Sequence, residues 1–295
     1  MFHRLSVCIV LGITVSGPGA LLRAQEVPHS WGFVTTNGTK LYYEEAGSGP
    51  PVVLVHGGWL NSRQWDHQMA LLSRDYRVIR YDCRGSGRSV IGDSTYAHDD
   101  DLAALLAHLH IDRAQLVGVS AGAQIAIDFT LNHPASVTSL MVGSSPLSGF
   151  DTGPEFRAGM IGVMTAGVAD DLELEHQRIW DFGPFRVASG MPEVRKWLDE
   201  MILHEYTWVL NRPTSPKPRR APTPPGTRLG EIKVPVLVVV GTGEMPGLVN
   251  EAEFVAHTVV GAEIVRVKDA GHFPNIEQPE QFDDILTKWL KRAKP

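Results

Sequence analysis

The feature that most restricts this chain is Gly118-Val119-Ser120-Ala121-Gly122, set between an apolar run and a stretch of small residues. Leu116 to Val119 has the makings of a short buried strand, and Ala121 to Leu131 those of a helix. A serine at such a handover sits in a tight, strained turn with its hydroxyl exposed. Glycines two positions either side leave room for the two elements to cross closely. The Ala121 amide then opens a helix, where unpaired N–H groups and the helix dipole favour an oxyanion.

The surroundings repeat the same alternation. Phe33-Val34-Thr35 and Leu41-Tyr42-Tyr43, parted by Asn37-Gly38, predict a hairpin. Val52–Val55 and Arg77–Tyr81 predict strands. Leu102, Leu105, Leu106 and Leu109 share one face of a helix over 99–109. Val137–Val142 completes this half. Strands alternating with helices imply an α/β fold with a mostly parallel sheet covered on both faces. The alternation stops between Pro146 and Arg212, where helices are expected around 155–168, 171–180 and 193–210. Pro213 to Gly226 holds six prolines and reads as an extended linker, with Lys217, Arg219 and Arg220 as a solvated charge run. Strand and helix signals resume at Val234–Val240, Val249–His257, Ile264–Val267 and Pro279–Arg292. The expected organisation is a core of 26–146 and 229–295 with a helical insertion of 147–228.

Residues 1–25 stand apart. Arg4 precedes an apolar run from Leu5 to Val15, broken by Gly17, Pro18 and Gly19. This is the layout of a cleaved signal peptide with a cut near Ala24 or Gln25, and the run is too short for a spanning helix. The expected product is secreted or periplasmic, with no stable membrane insertion after cleavage. Loss of Arg4 and Arg23 with the leader takes the formal charge from −6 to −8. That acidity argues against a nucleic-acid partner. Cys83 is then the one remaining cysteine of two, and a lone cysteine is expected as a small buried hydrophobe.

A serine hydroxyl needs a positioned base to act as a nucleophile near neutral pH, and histidine has the suitable basicity. His272, in Asp269-Ala270-Gly271-His272-Phe273-Pro274, follows the last predicted strand and would reach the same sheet edge as Ser120. Glu244, just after the strand ending at Val240, is the preferred carboxylate to orient it, giving the chain order Ser120, Glu244, His272. Asp269 and Asp151 are rivals. Val55-His56-Gly57-Gly58-Trp59 follows another strand; Gly58 is the first choice for a second oxyanion donor beside Ala121, with Trp59 an alternative donor or substrate contact. His56 is expected to be structural. Asp99, Asp100 and Asp101 beside His98 are taken as first-turn acids rather than metal ligands; neither a metal nor a cofactor is expected.

These motifs together resemble the α/β-hydrolase fold family, in particular its capped esterase, lactonase and carbon–carbon hydrolase branch. They are His56-Gly57-Gly58, the stretch Asp82-Cys83-Arg84-Gly85-Ser86-Gly87-Arg88-Ser89, the turn at Ser120, and Gly271-His272-Phe273. The resemblance covers roughly 33–146 and 234–290. It implies the roles given to Ser120, His272, Gly58 and Ala121, a structural role for the Asp82 stretch, and a cap at the insertion. It departs at Glu244, where the family usually has Asp. Serine at the turn implies acyl transfer through an acyl-enzyme. Met160, Met164, Met191 and Met201, with Trp180, Phe182, Phe185, Trp197 and Trp208, give the cap an apolar stock for core and pocket wall. The expected substrate is a small or medium apolar carboxylic ester or lactone. Alternatives are carbon–carbon bond hydrolysis, cofactor-free perhydrolysis, and a ligand-binding relative without catalysis. Oligomeric state is not legible in the sequence.

Overall fold

Asn37 and Gly38 take positive φ of 47° and 71°. That turn closes the expected hairpin between β1 (His29–Thr36) and β2 (Thr39–Ala46). The computed structural model describes residues 29–293 except 146, 148, 149, 170, 206–215, 220 and 221. The leader, its cleavage site, Trp208 and much of the proline-rich stretch therefore lie outside the described residues.

β3 (Pro51–Val55), β4 (Arg77–Tyr81), β5 (Ala114–Val119), β6 (Val137–Gly143), β7 (Val236–Gly241) and β8 (Glu263–Val267) run parallel and extend the hairpin into one sheet. The order is β1-β2-β4-β3-β5-β6-β7-β8. Every residue of β5 and β7 is buried, as continuous apolar runs require when both faces are covered. Successive side chains point to opposite faces. Val52, Leu54, Val117 and Val239 join a cluster with Trp65, just before α1 (Asp66–Leu72), with Met69 of α1, and with Phe282 and Leu286 of α10 (Pro279–Arg292). Val53, Val55, Leu116 and Val238 pack on the other side against α2 (His98–His108), α3 (Ala121–Asn132) and α8 (Pro246–Thr258).

Between β6 and β7 the chain forms α4 (Pro154–Val168), α5 (Leu172–Asp181), α6 (Arg186–Ser189) and α7 (Pro192–Glu205). Asp199 accepts the Trp180 indole N–H at 2.6 Å and lies 2.8 Å from His176, tying α7 to α5. Val163, Trp180, Phe185 and Met201 belong to the same apolar cluster as α1 and α10, so this helical cap packs onto the core. Among the described residues no helix is long and apolar enough to cross a membrane.

In the proline-rich stretch Pro218 bridges Tyr96, and the exposed Arg219 guanidinium donates to Asp100 at 3.0 Å. Asp101 lies in the first turn of α2, as expected, and is buried there. It is 1% exposed and takes a bidentate ion pair from Arg84 at 2.8 and 2.7 Å.

Candidate active site

Ser120 stands between β5 and α3 with φ 58° and ψ −127°, a backbone state that costs a non-glycine residue about 1–3 kcal/mol. Its neighbours explain how the turn is held. A Cβ on Gly122 would lie 2.1 Å from the Val55 carbonyl oxygen, and one on Gly118 would lie 2.3 Å from the Gly122 carbonyl oxygen. Only glycine at both positions lets α3 cross this closely over the β3 and β5 ends. The Ser120 N–H donates to the Gly143 carbonyl at 2.8 Å, and the Ser120 carbonyl accepts from Ala123 at 2.9 Å.

His272 lies in the loop after β8, followed by α9 (Pro274–Glu277). Its Nε2 is 2.8 Å from Ser120 Oγ, and its Nδ1 is 2.7 Å from Glu244 Oε2. Glu244 Oε1 accepts the Met245 N–H at 2.8 Å, so both carboxylate oxygens are engaged. Burial opposes charge on Glu244, but the adjacent imidazole and the N–H donors outweigh it and hold the carboxyl below its ordinary range. The rivals lie elsewhere. Asp151 is exposed and paired with Arg157, and the exposed Asp269 is oriented by its own N–H donating to Thr242 Oγ1 at 2.9 Å.

The His56-Gly57-Gly58 turn abuts the serine. A Cβ on Gly57 would be 3.2 Å from Ser120 Cβ, and one on Gly58 would be 3.9 Å from Ala121 Cβ. The Gly57 N–H is taken by Gln64 Oε1 at 2.7 Å. Neither the Gly58 nor the Ala121 N–H has an acceptor among the described residues. Trp59, at φ 57°, turns its ring toward the cap, 5.9 Å from Phe182 and 6.3 Å from Phe185. His56 is a strut: its Nε2 accepts the Cys83 N–H at 2.9 Å and its Nδ1 donates to the Gly57 carbonyl at 2.7 Å. Cys83 is buried, and burial pushes its thiol well up. The Asp82 stretch is bound through its carboxylate, which accepts Ser62 N–H and Arg88 N–H at 2.8 and 2.9 Å.

Several supporting residues escaped sequence reading. Gln64 Nε2 donates to Asn275 Oδ1 at 3.3 Å, Asn275 Nδ2 donates back to the Gln64 carbonyl at 3.1 Å, and Gln68 Nε2 donates to the Asn275 carbonyl at 3.1 Å. This buried set joins the loop after β3 to the loop carrying His272. Glu277 accepts the Gly271 N–H beside His272; burial raises its carboxyl to about 7 against that bond and the nearby imidazole. No local pattern announces partners so far apart in sequence.

A cavity of about 250 Å³ opens at Ser120 and His272. Trp59, Phe156, Met160, Phe182, Phe185 and Phe273 give it an apolar wall drawn mostly from the cap. Its volume lies a little below the roughly 300–1,000 Å³ usual for drug-sized ligands, which suits a small one. Away from it, Asp99, Asp100 and His133 bring potential metal-ligand atoms within 4.8 Å of one another. Asp99 and Asp100 already take donors from Asn132 and Arg219.

Known proteins of similar sequence and structure agree with this architecture. The 3-oxoadipate enol-lactonase 1 of Acinetobacter baylyi is 25% identical over 245 residues, spanning 82% of this chain and 89% of that protein. The solved structure of Est816, described as an N-acyl homoserine lactone degrading enzyme, is 28% identical with a TM-score of 0.72, over 87% of this chain and 99% of that one. A thermophilic esterase from Thermogutta terrifontis is 26% identical with a TM-score of 0.71, over 90% of this chain and 100% of its own. The alpha/beta hydrolase family model matches residues 52–285, and the chain belongs to that family.

Proposed function

We propose that this protein hydrolyses small or medium apolar carboxylic esters or lactones through an acyl-enzyme on Ser120. The observation that carries the proposal is the unbroken hydrogen-bonded chain from Ser120 Oγ through the His272 ring to Glu244. Such a chain supplies a nucleophile, its base and the group that orients the base. The lactonase and esterase names of the similar proteins support the same substrate class.

In this mechanism Ser120 Oγ attacks the carbonyl carbon and its proton passes to His272 Nε2. Glu244 keeps the proton on Nδ1 and stabilises the imidazolium without accepting that proton. Negative charge on the former carbonyl oxygen is met by the Gly58 and Ala121 N–H groups. Collapse of the tetrahedral species breaks the ester C–O bond, and His272 returns its proton to the departing alkoxide. In a lactone that alcohol stays tethered to the acyl group. Water, deprotonated by His272, then attacks the acyl-enzyme and releases the acid and free Ser120.

The test is turnover of a graded series of p-nitrophenyl acyl esters by the mature protein, with Ser120→Ala in parallel. Removing a triad nucleophile should lower kcat by about four orders of magnitude or more. Equal activity in the two proteins, or no turnover of either these esters or simple lactones, overturns the proposal. Export is proposed with it from residues 1–25: N-terminal sequencing of protein from the periplasm or medium should find a start near Gln25 or Glu26.

A further inference from the structure

The wall facing the apolar cap side comes from the core and contains polar side chains: His56, Cys83, Arg84, Ser86 and His98. Three of these are already committed. Both His56 ring nitrogens are occupied, and the Cys83 thiol is held in its neutral form by burial. The Arg84 guanidinium is taken by both oxygens of Asp101, donates to the Asn37 carbonyl at 2.8 Å, and stands 4.6 Å over the Tyr96 ring. Two groups remain. Ser86, in the turn after β4, is 5% exposed, and its hydroxyl has no hydrogen-bond partner among the described residues. His98, the first residue of α2, meets Tyr96 edge-on at 5.1 Å and has no hydrogen bond on either ring nitrogen among the described residues.

Ser86 and the half-buried His98 thus line the cavity with polar atoms that the chain itself does not bond, and such groups fix the orientation of a ligand. We propose that Ser86 and His98 form a polar subsite of the substrate pocket, which binds an uncharged hydrogen-bonding group (an amide, ketone or hydroxyl) carried by the substrate in addition to its scissile carbonyl. This rests on the hydrolytic function proposed above and narrows it.

The charge type follows from the surroundings. Burial brings His98 down to about 4 against the pull of Asp101, with His56 and Arg84 adding to the lowering. At neutral pH its ring therefore offers one donor and one acceptor and no charge, and the Ser86 hydroxyl offers the same pair. A carboxylate drawn into this corner would lose its water and meet no free cation, because Arg84 is spent on Asp101. An amide or hydroxyl would satisfy both groups at no such cost.

The experiment uses five-membered lactones that differ at the carbon next to the carbonyl: a plain alkyl group, an acylamino group of the same length, a hydroxyl, or a carboxylate. The readout is the ratio of kcat/KM for the acylamino or hydroxyl lactone to that for the alkyl lactone, taken within each protein. In the wild type this ratio should be about ten or more, with the carboxylate poorest, since a site built to hydrogen-bond a group discriminates against analogues lacking it. His98→Phe and Ser86→Ala should each bring the ratio toward one, and His98→Gln, which keeps a donor and an acceptor, should restore part of it. Melting temperatures establish that each variant is folded. A wild-type ratio near one, with the lactones still hydrolysed, overturns the subsite and leaves the hydrolytic function standing. A preference that survives in both His98→Phe and Ser86→Ala also overturns it. Absence of hydrolysis of both these lactones and p-nitrophenyl esters overturns the hydrolytic proposal and the subsite with it.

Discussion

Glu244 carries one more methylene than the aspartate usual at this place, and the structure uses the extra reach. Its two oxygens serve different partners, the Met245 N–H and His272 Nδ1. Glu244→Gln keeps the shape but removes the charge that stabilises an imidazolium. It should lower kcat by about 10³–10⁴, with KM little changed, as measured by steady-state ester hydrolysis. Glu244→Asp keeps the charge but stretches the contact to the ring, and its loss should be clearly smaller. A larger loss in Glu244→Asp than in Glu244→Gln would mean that reach, not charge, is what His272 needs. Gly122 answers to sterics alone. Its substitution by alanine drives a methyl into the Val55 carbonyl, and denaturant melts should show at least about 2 kcal/mol of lost stability.

At the level of elements, the site depends on two loops that the chain separates widely. Gln64 lies just before α1 and Asn275 in α9, 211 residues apart, yet they exchange two hydrogen bonds. Gln64 also holds the Gly57 N–H, so the pair links the turn bearing Gly58 to the loop bearing His272. Gln64→Ala and Asn275→Ala should each lower kcat about tenfold more than they raise KM. A double-mutant cycle on kcat should show coupling of about 1 kcal/mol, and strict additivity would remove the link. This contrast marks what the sequence displays. Arg77–Tyr81 and Pro279–Arg292 have the same bounds in the sequence and in the structure. One is a run buried on the sheet, the other a strongly amphipathic helix, and each pattern is local. The turn at Ser120 was legible because its glycines sit at fixed offsets. α1, α6 and α9, with seven, four and four residues, are too short to express a period. The Arg84–Asp101 pair and the Gln64–Asn275 bridge join distant segments and leave no local trace. The order of the acid, base and nucleophile was legible because each follows a predicted strand. The supporting shell was not, because it depends on which loops meet.

The balance of buried titratable groups sets how the whole molecule responds to pH. Burial raises the carboxyls of Glu251 to about 8 and of Asp128 and Glu277 to about 7. In the unfolded chain such groups titrate near pH 4. Between those limits the folded protein binds more protons than the unfolded one, so these groups cost stability as pH rises, until they are ionised in both states. His56 and His98 act oppositely, since burial lowers both; their neutral forms favour the fold as pH climbs toward about 6.5. Glu44 and Glu244, held low by their partners against burial, contribute above about pH 4 and lose that contribution in stronger acid. Above pH 6.5 the raised carboxyls are left to decide the trend. Glu251 is the strongest of them: fully buried, it accepts the Leu147 N–H and the Thr152 hydroxyl at the root of the cap. Stability should therefore fall from about pH 6.5 toward pH 8.5, with a drop in Tm of about 5 °C by calorimetry. Glu251→Gln is neutral at every pH and keeps an acceptor for Leu147. It should match the wild type near pH 4, where Glu251 is protonated in both states, and lose less of its Tm by pH 8.5. A Tm that climbs steadily to pH 8.5 would mean that these carboxyls ionise in the folded protein as readily as in the unfolded chain.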